Sequence, residues 1–215
     1  MLHAAAVDAF LAMREHAARA GVDIIPLSSF RDFERQRLIW NAKYRGERPV
    51  LDRRGRRLDI RLLSPQQRVE IILLWSALPG ASRHHWGSDI DVVDGGVVAR
   101  GYQAKLGRPE FMRGGPFAPL SRWLAAHMRR FGFYRPYTRA GNGVQPEPWH
   151  LSYAPVARRA LPMLTVELLA AAITGAGVEG EAAILARLPS IHERYVLGVE
   201  APPRMRSRFA RISLR

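Results

Sequence analysis

Cysteine is absent from the 215 residues. Disulfides and thiolate catalysis are thereby excluded, and a metal bound to this chain must use nitrogen and oxygen donors. A G-x-S-x-G nucleophile elbow is also missing, and so are internal repeats and low-complexity tracts. No apolar run approaches the roughly 18 residues of a membrane-spanning helix. The longest candidate, residues 71–78, is interrupted by Ser76 and stopped by Pro79. The Ala-rich start has no basic leading segment, and Asp8, Arg14, Glu15 and His16 interrupt its apolar residues, so it reads as an amphipathic helix rather than a signal peptide. Without a visible leader the default expectation is the cytoplasm, or the periplasm or cell envelope if a leader has been removed. Acidic residues are scarce as well: 19 Asp and Glu face 33 Lys and Arg, for a net charge of +14. Such a surface is drawn to polyanions. The basic residues are spread along the chain, with one dense run at 53–57, and no aromatic-interleaved nucleic-acid signature accompanies them. Attraction to anionic envelope polymers is therefore expected, and specific nucleic-acid recognition is not.

What remains is a chain 47% hydrophobic and 24% charged, which can bury the core of one globular domain with an appendage. Residues 3–20 read as a helix ended by Gly21, 22–28 as a short strand, and 32–44 as a second helix, with Asp32 in its first turn. The Gly- and Arg-rich stretch 45–61 reads as a loop or loose hairpin. Ser64, Pro65 and Gln67 announce a helix running to about residue 78, because Ser caps, Pro suits the first helical position and Gln stands three residues after the cap. Ile90, Val92 and Val93 mark a strand entering a Gly95-Gly96 turn, and 101–119, rich in Pro and Gly, is expected to be irregular. A helix at 121–130, a short strand at 131–135 and a strand at 149–153 follow. Beyond residue 155 the pattern turns helical, at 156–163, 166–173, 179–188 and 192–196. Strands and helices do not alternate as in a doubly wound sheet. The expectation is an α+β fold with a small, mainly antiparallel sheet: a core over 1–155 and a C-terminal helical extension over 156–215.

Two segments carry the chemistry, Ser-Arg-His-His-Trp-Gly-Ser-Asp-Ile-Asp at 82–91 and Pro-Glu-Pro-Trp-His at 146–150. Two histidines and a carboxylate supply three ligands to a catalytic zinc and leave its fourth position open. Gly87 and the β-branched residues after it disfavour a helix, so a loop carrying His84 leads into a strand in which Asp89 and Asp91 share one face and can line a cleft. His85 is an alternative to His84 as ligand, and Asp89 is open to a plainer reading as a cap or the partner of an Arg. Pro146 and Pro148 flank Glu147 and exclude an E-x-x-H helix. Glu147 then stands just ahead of the strand that bears His150, placed to address metal-bound water rather than metal. Trp86 and Trp149 read as core aromatics, and His3, His16, His127 and His192 are assigned no function.

The first segment resembles the S-x-H-x-x-G-x-(A/D)-x-D motif of the D-alanyl-D-alanine carboxypeptidase and dipeptidase family that includes the VanY and VanX enzymes, and the second is similar to that family's E-x-W-H. A third match, Ser-Ser-Phe-Arg-Asp-Phe-Glu-Arg-Gln at 28–36, resembles its S-x-(Y/F)-R-(S/T)-x-x-x-Q, with Asp32 where Ser or Thr is usual. The resemblance covers about residues 22–155. It implies the small antiparallel sheet with helices of the lysostaphin, carboxypeptidase and hedgehog group, one zinc ion held by His84, Asp91 and His150, and Glu147 as acid/base. It further implies Arg31 as the group polarising the scissile carbonyl, and Ser82, Ser28, Gln36 and Asp89 as substrate contacts. The implied substrate is a peptidoglycan stem peptide or muropeptide, and the implied reaction is release of terminal D-Ala. A D-Ala-D-Ala dipeptidase, an L,D-carboxypeptidase and a cross-bridge endopeptidase fit the same centre. A non-catalytic, hedgehog-like zinc protein is the rival of another class.

Overall fold

The chain is described by a computed structural model over residues 2–138 and 143–204. Residues 205–215 of the expected C-terminal extension lie outside the described residues. The elements in chain order are α1 (Ala4–Ala18), β1 (Ile24–Ser28), α2 (Phe33–Tyr44), β2 (Val50–Leu51), β3 (Arg57–Leu58), α3 (Pro65–Leu73), β4 (Asp89–Asp94), α4 (Gly95–Ala99), α5 (Ala118–His127), β5 (Phe133–Tyr134), β6 (His150–Tyr153), α6 (Ala154–Ala160), α7 (Val166–Ile173), α8 (Glu181–Leu185) and α9 (Leu188–Ile191). This is the mixed helix and strand architecture expected, with a small antiparallel sheet.

That sheet has the order β1-β4-β6-β5, and each neighbouring pair is antiparallel. β2 and β3 form a separate hairpin within the stretch 45–61. The helix starts follow local chemistry. Asp32 caps α2 by accepting from Arg35 N. The Ser64 hydroxyl accepts from Gln67 N while the Gln67 side chain accepts from Ser64 N, a reciprocal cap that satisfies two orphan donors of α3.

Several boundaries differ from the expectation. α3 stops at Leu73, and the chain reaches Leu78 through turns instead of more helix. Gly95 and Gly96 open a short helix instead of a hairpin turn, because the Asp94 carboxylate accepts from Gly96 N and Val97 N and nucleates it. α5 begins at Ala118, with Pro119 in its first turn, where proline's missing N–H costs nothing.

The apolar side chains gather in two layers. Phe10 and Met13 of α1, Ile90 and Val92 of β4, Leu151 of β6 and Leu120 of α5 belong to one. Trp40 of α2, Val69 and Ile72 of α3 and Leu169, Ile184, Leu188 and Ile191 of the later helices belong to the other. The C-terminal helices are also tied to α2 by polar contacts: Trp40 Nε1 donates to Glu179 O at 2.9 Å, and Asn41 Nδ2 donates to Gly177 O at 2.8 Å. The side of β4 opposite Ile90 and Val92 carries Asp89 and Asp91, and there the functional residues collect.

Candidate metal centre and active site

β4 and β6 bring two of the motifs together by register. Asp91 stands directly opposite His150, and Asp89 opposite Ser152. His84 arrives from a 3-10 turn, Arg83–Trp86, that ends on Gly87 in the left-handed conformation at φ 66°. The turn depends on glycine twice over. An L side chain is strained at that φ, and a Cβ at Gly87 would meet His3 N at 3.0 Å. The segment 28–31 is stitched to the same turn: Arg31 N donates to His84 O at 3.3 Å, His84 Nδ1 lies 2.7 Å from Ser29 O, and His85 Nδ1 lies 2.5 Å from Arg31 O.

His84, Asp91 and His150 are all buried, and one donor atom from each falls within 4.8 Å of the others. His84 Nε2 is 3.4 Å from Asp91 Oδ2, and His150 Nδ1 is 3.1 Å from Asp91 Oδ1. The outer nitrogens are engaged, His84 Nδ1 with the Ser29 carbonyl and His150 Nε2 with Asp89 Oδ2 at 2.7 Å. With protons on those outer nitrogens, the inner ones present lone pairs toward Asp91. Asp91 Oδ1 is itself buried without a hydrogen-bond partner. A neutral-imidazole pair and a carboxylate with an orphaned oxygen is a donor set that fits a divalent cation. Burial alone would lower His150, but the hydrogen bond to Asp89 and the charges of Asp91 and Asp89 outweigh it and lift its imidazole to about 10. The Asp91 carboxyl lies low, the two histidines outweighing its burial.

Glu147 stands at the edge of this cluster, its Oε2 3.5 Å from His150 Nδ1. Its backbone is pinned on both sides, Glu147 N donating to Tyr137 O and His150 N donating to Glu147 O. Burial pushes the Glu147 carboxyl up to about 7 against the opposing pull of His150, and the charge of Asp91 adds to the rise. Arg31 lines the same cavity, its Nη1 donating to Gln36 Oε1 at 2.7 Å and its Nη2 to Ser28 Oγ at 3.1 Å. The cavity, about 570 Å³, is also walled by Ser82. That volume is within the range of small-ligand sites.

Two expected substrate contacts are engaged within the protein instead. Asp89 is fully buried behind His150, and its oxygens accept from Arg83, His150, Ser88 and Ser152, which leaves nothing for a ligand. Its place is to orient His150, and its pairing with an Arg is the plainer of the two sequence readings. Burial would raise its carboxyl, yet Arg83 and His150 outweigh that and hold it well below the usual carboxylate range. Gln36 is 1% exposed and spends its amide on Ala77 O and its carbonyl on Arg31, so it positions the guanidinium. Ser28 keeps its hydroxyl on Arg31. His85, the alternative to His84, has both ring nitrogens engaged, Nδ1 with Arg31 O and Nε2 accepting from Gly80 N.

Sequence reasoning missed four participants. Arg83 is buried, holds Asp89 at 2.9 Å, donates to Tyr134 Oη and Ser152 Oγ, and lies 4.6 Å from the Trp86 ring centroid. Tyr137 packs edge-on against His150, with ring centroids 4.9 Å apart. Lys43 and Arg48 line the cavity from the end of α2 and the chain after it. Position 83, between Ser82 and His84, was the one available signal; the other three sit in unremarkable sequence.

The match to known proteins agrees with this geometry. The family model for VanY, a D-alanyl-D-alanine carboxypeptidase, covers residues 1–156, well over half of the chain. The chain belongs to that family of peptidases. An uncharacterised protein of Haemophilus influenzae is 52% identical over 77 residues, which span 36% of this chain and 53% of that protein. A D-alanyl-D-alanine carboxypeptidase of Enterococcus faecalis is 30% identical over 141 residues, 64% of this chain and 42% of that protein. The chain thus spans about half the length of these two relatives. The solved structure of VanYB in complex with D-alanine-D-alanine matches at a TM-score of 0.52 and 21% identity, covering 89% of this chain and 82% of that one, and shares the fold.

Proposed function

We propose that this chain is a zinc-dependent D-alanyl-D-alanine carboxypeptidase acting on the stem peptides of peptidoglycan, with one zinc ion held by His84, Asp91 and His150. The observation that carries the reading is the buried donor set itself, with Asp91 Oδ1 unpartnered and both imidazoles fixed from behind. Zinc bound there supplies Lewis acidity and lowers the pKa of a bound water to about 7. Glu147, which burial holds near 7, is suited to take a proton from the attacking water and to return it to the leaving amine at neutral pH. Arg31 keeps its charge and directs its remaining N–H groups at the oxyanion that develops on the scissile carbonyl. Tyr137 and Trp149 wall the site and limit the water around these charges.

Metal analysis of the purified protein, followed by incubation with defined muropeptides and mass spectrometry, tests the reading. One zinc per chain and release of a single terminal D-Ala are expected. Loss of a D-Ala-D-Ala unit, of a D-residue next to an L-residue, or of a cross-bridge would replace the bond assignment. Zinc without any hydrolysis would favour the non-catalytic alternative.

Two further outcomes are expected of the same site. Because the metal-free His150 holds its proton up to about 10, zinc must displace that proton at pH 7. Apparent zinc affinity should therefore rise with pH, roughly tenfold per unit through the neutral range, as read by competition with a chromophoric chelator. A pH-independent affinity would mean that His150 is not a ligand. Arg31→Lys should retain zinc and thermal stability but lose at least about tenfold in kcat/KM, equivalent to roughly 1.4 kcal/mol. A single ammonium cannot hold Gln36 and Ser28 together and still offer a planar donor pair to substrate. Equal kcat/KM on a D-Ala-terminated peptide would remove Arg31 from the mechanism.

A further inference from the structure

Gln36, Ile39 and Lys43 recur at helical spacing on one face of α2, and Ile39 and Lys43 line the cavity. Gln36 is spent on Arg31. Lys43, two turns further on, has one hydrogen bond, from Nζ to Ser76 Oγ at 2.6 Å, and among the described residues no carboxylate within 4 Å. An ammonium has three donors, so two remain uncommitted in a partly buried cavity wall. Arg48, also on the cavity wall, has no ion pair among the described residues either. The field of Glu147 reaches Lys43 and partly offsets its desolvation, but burial still pushes the ammonium down to about 8. A cation that loses solvation without gaining a partner costs stability unless a ligand completes it.

Resting on the carboxypeptidase reading above, we propose that Lys43, with Ser76 and Arg48, forms a carboxylate-binding subsite that selects the substrate by a negative charge within one or two residues of the scissile bond. The reach follows from the helix. Seven residues of rise separate Gln36 from Lys43, about 10 Å, and a long helical side chain leans back toward the N-terminus, here toward Arg31. An extended peptide advances roughly 3.3–3.6 Å per residue, so the rise alone spans about three residues, and the backward lean of the Lys43 side chain shortens this to one or two. The carboxylate held by Lys43 is either the free C-terminus of the leaving residue or the side chain of an acidic residue on the amino side. The chemistry is the same and the site is one.

The test uses zinc-loaded full-length protein and four peptides: acetyl-Lys-D-Ala-D-Ala, its C-terminal amide, and the free-acid analogues with Glu or Gln in place of Lys. Lys43→Met should reduce at least tenfold either the acid-to-amide ratio of kcat/KM or the Glu-to-Gln ratio, chiefly through KM. The first result assigns the C-terminal carboxylate and the second the side chain. Lys43→Arg should restore most of the ratio, which a purely structural lysine would not require. If Lys43→Met fails to fold, the exposed Arg48→Gln reads the same ratios. Both ratios unchanged in both variants would overturn the subsite. If the wild-type protein hydrolyses none of the peptides, calorimetric titration with N-acetyl-D-alanine separates the two ideas. Binding that depends on Lys43 keeps the subsite and sinks the carboxypeptidase reading, whereas equal or absent binding in wild type and Lys43→Met sinks the subsite.

Discussion

Glu147→Gln is expected to lower hydrolysis of a D-Ala-terminated peptide by at least 10²-fold, the loss typical of a removed general base, while zinc stays bound in nearly one-to-one ratio. The isosteric amide keeps the backbone clasp, since Glu147 N still reaches Tyr137 O and His150 N still reaches the carbonyl of residue 147. It cannot accept the proton. His150→Ala, by contrast, should lose the metal, because it deletes one of three converging donors. A second consequence separates catalysis from folding. In the metal-free protein the Glu147 carboxyl titrates near 7 instead of 4.5, so above pH 7 the folded state carries a charge that burial disfavours. Stability from this group is greatest where the carboxyl is protonated in both states, falls as pH rises from about 4.5 to about 7, and is level above that. The metal-free Gln variant should accordingly be more stable than wild type at pH 8, by on the order of 2–3 kcal/mol, with the advantage shrinking toward pH 5. Thermal melts at the two pH values, beside zinc content and single-turnover rates, check the assignment. A Gln variant as active as wild type, or one that loses zinc as His150→Ala does, would remove Glu147 from the acid/base role.

Such a division of labour is partly legible in the amino-acid sequence. Period-two alternation puts Asp89 and Asp91 on one side of a strand and Ile90 and Val92 on the other, and the prolines around Glu147 rule out a helix. These are local rules, and β4 and the extended approach to β6 obey them. Alternation reports only which side a residue takes, however, and not what covers it. The Asp91–His150 register, the seating of Asp89 behind the His150 ring and the clasp of the 28–31 segment by His84 and His85 each join residues more than fifty positions apart. Long-range pairings of this kind leave no periodic trace in one sequence. Lys43 escapes notice for the same reason: a Lys near the end of an amphipathic helix normally sits in solvent, and only the walls supplied by residues around 71–84 and 191–196 turn it inward. The shortening of α3 is similarly invisible: nothing in residues 74–78, short of Pro79, marks the end at Leu73.

Asp89→Asn is expected to be the most damaging single change outside the ligands, through both stability and metal. Asp89 is 0% exposed, and it faces the Arg83 guanidinium at 2.9 Å on one side and His150 Nε2 at 2.7 Å on the other. Neutralising it leaves Arg83, itself 4% exposed, as a buried cation without a counter-charge. Removing one partner of such a pair costs about 3–5 kcal/mol. The same change deprives His150 of the acceptor that fixes its tautomer, and loss of such an orienting partner weakens metal binding about 10- to 100-fold. The pH dependence distinguishes this from a packing defect. Because the folded-state carboxyl lies well below its usual range, its contribution is fully present above the unfolded value near 4 and is lost only as pH falls from there through the folded pKa. The difference in stability between wild type and Asp89→Asn should thus narrow in strong acid. Adding Arg83→Met should recover part of the loss in stability, since the stranded cation is gone, but none of the loss in zinc affinity, since His150 still lacks its acceptor. Denaturant melts and chelator competition on the two single variants and the double variant measure both quantities. Wild-type zinc affinity in Asp89→Asn would mean that His150 is held in place without its carboxylate.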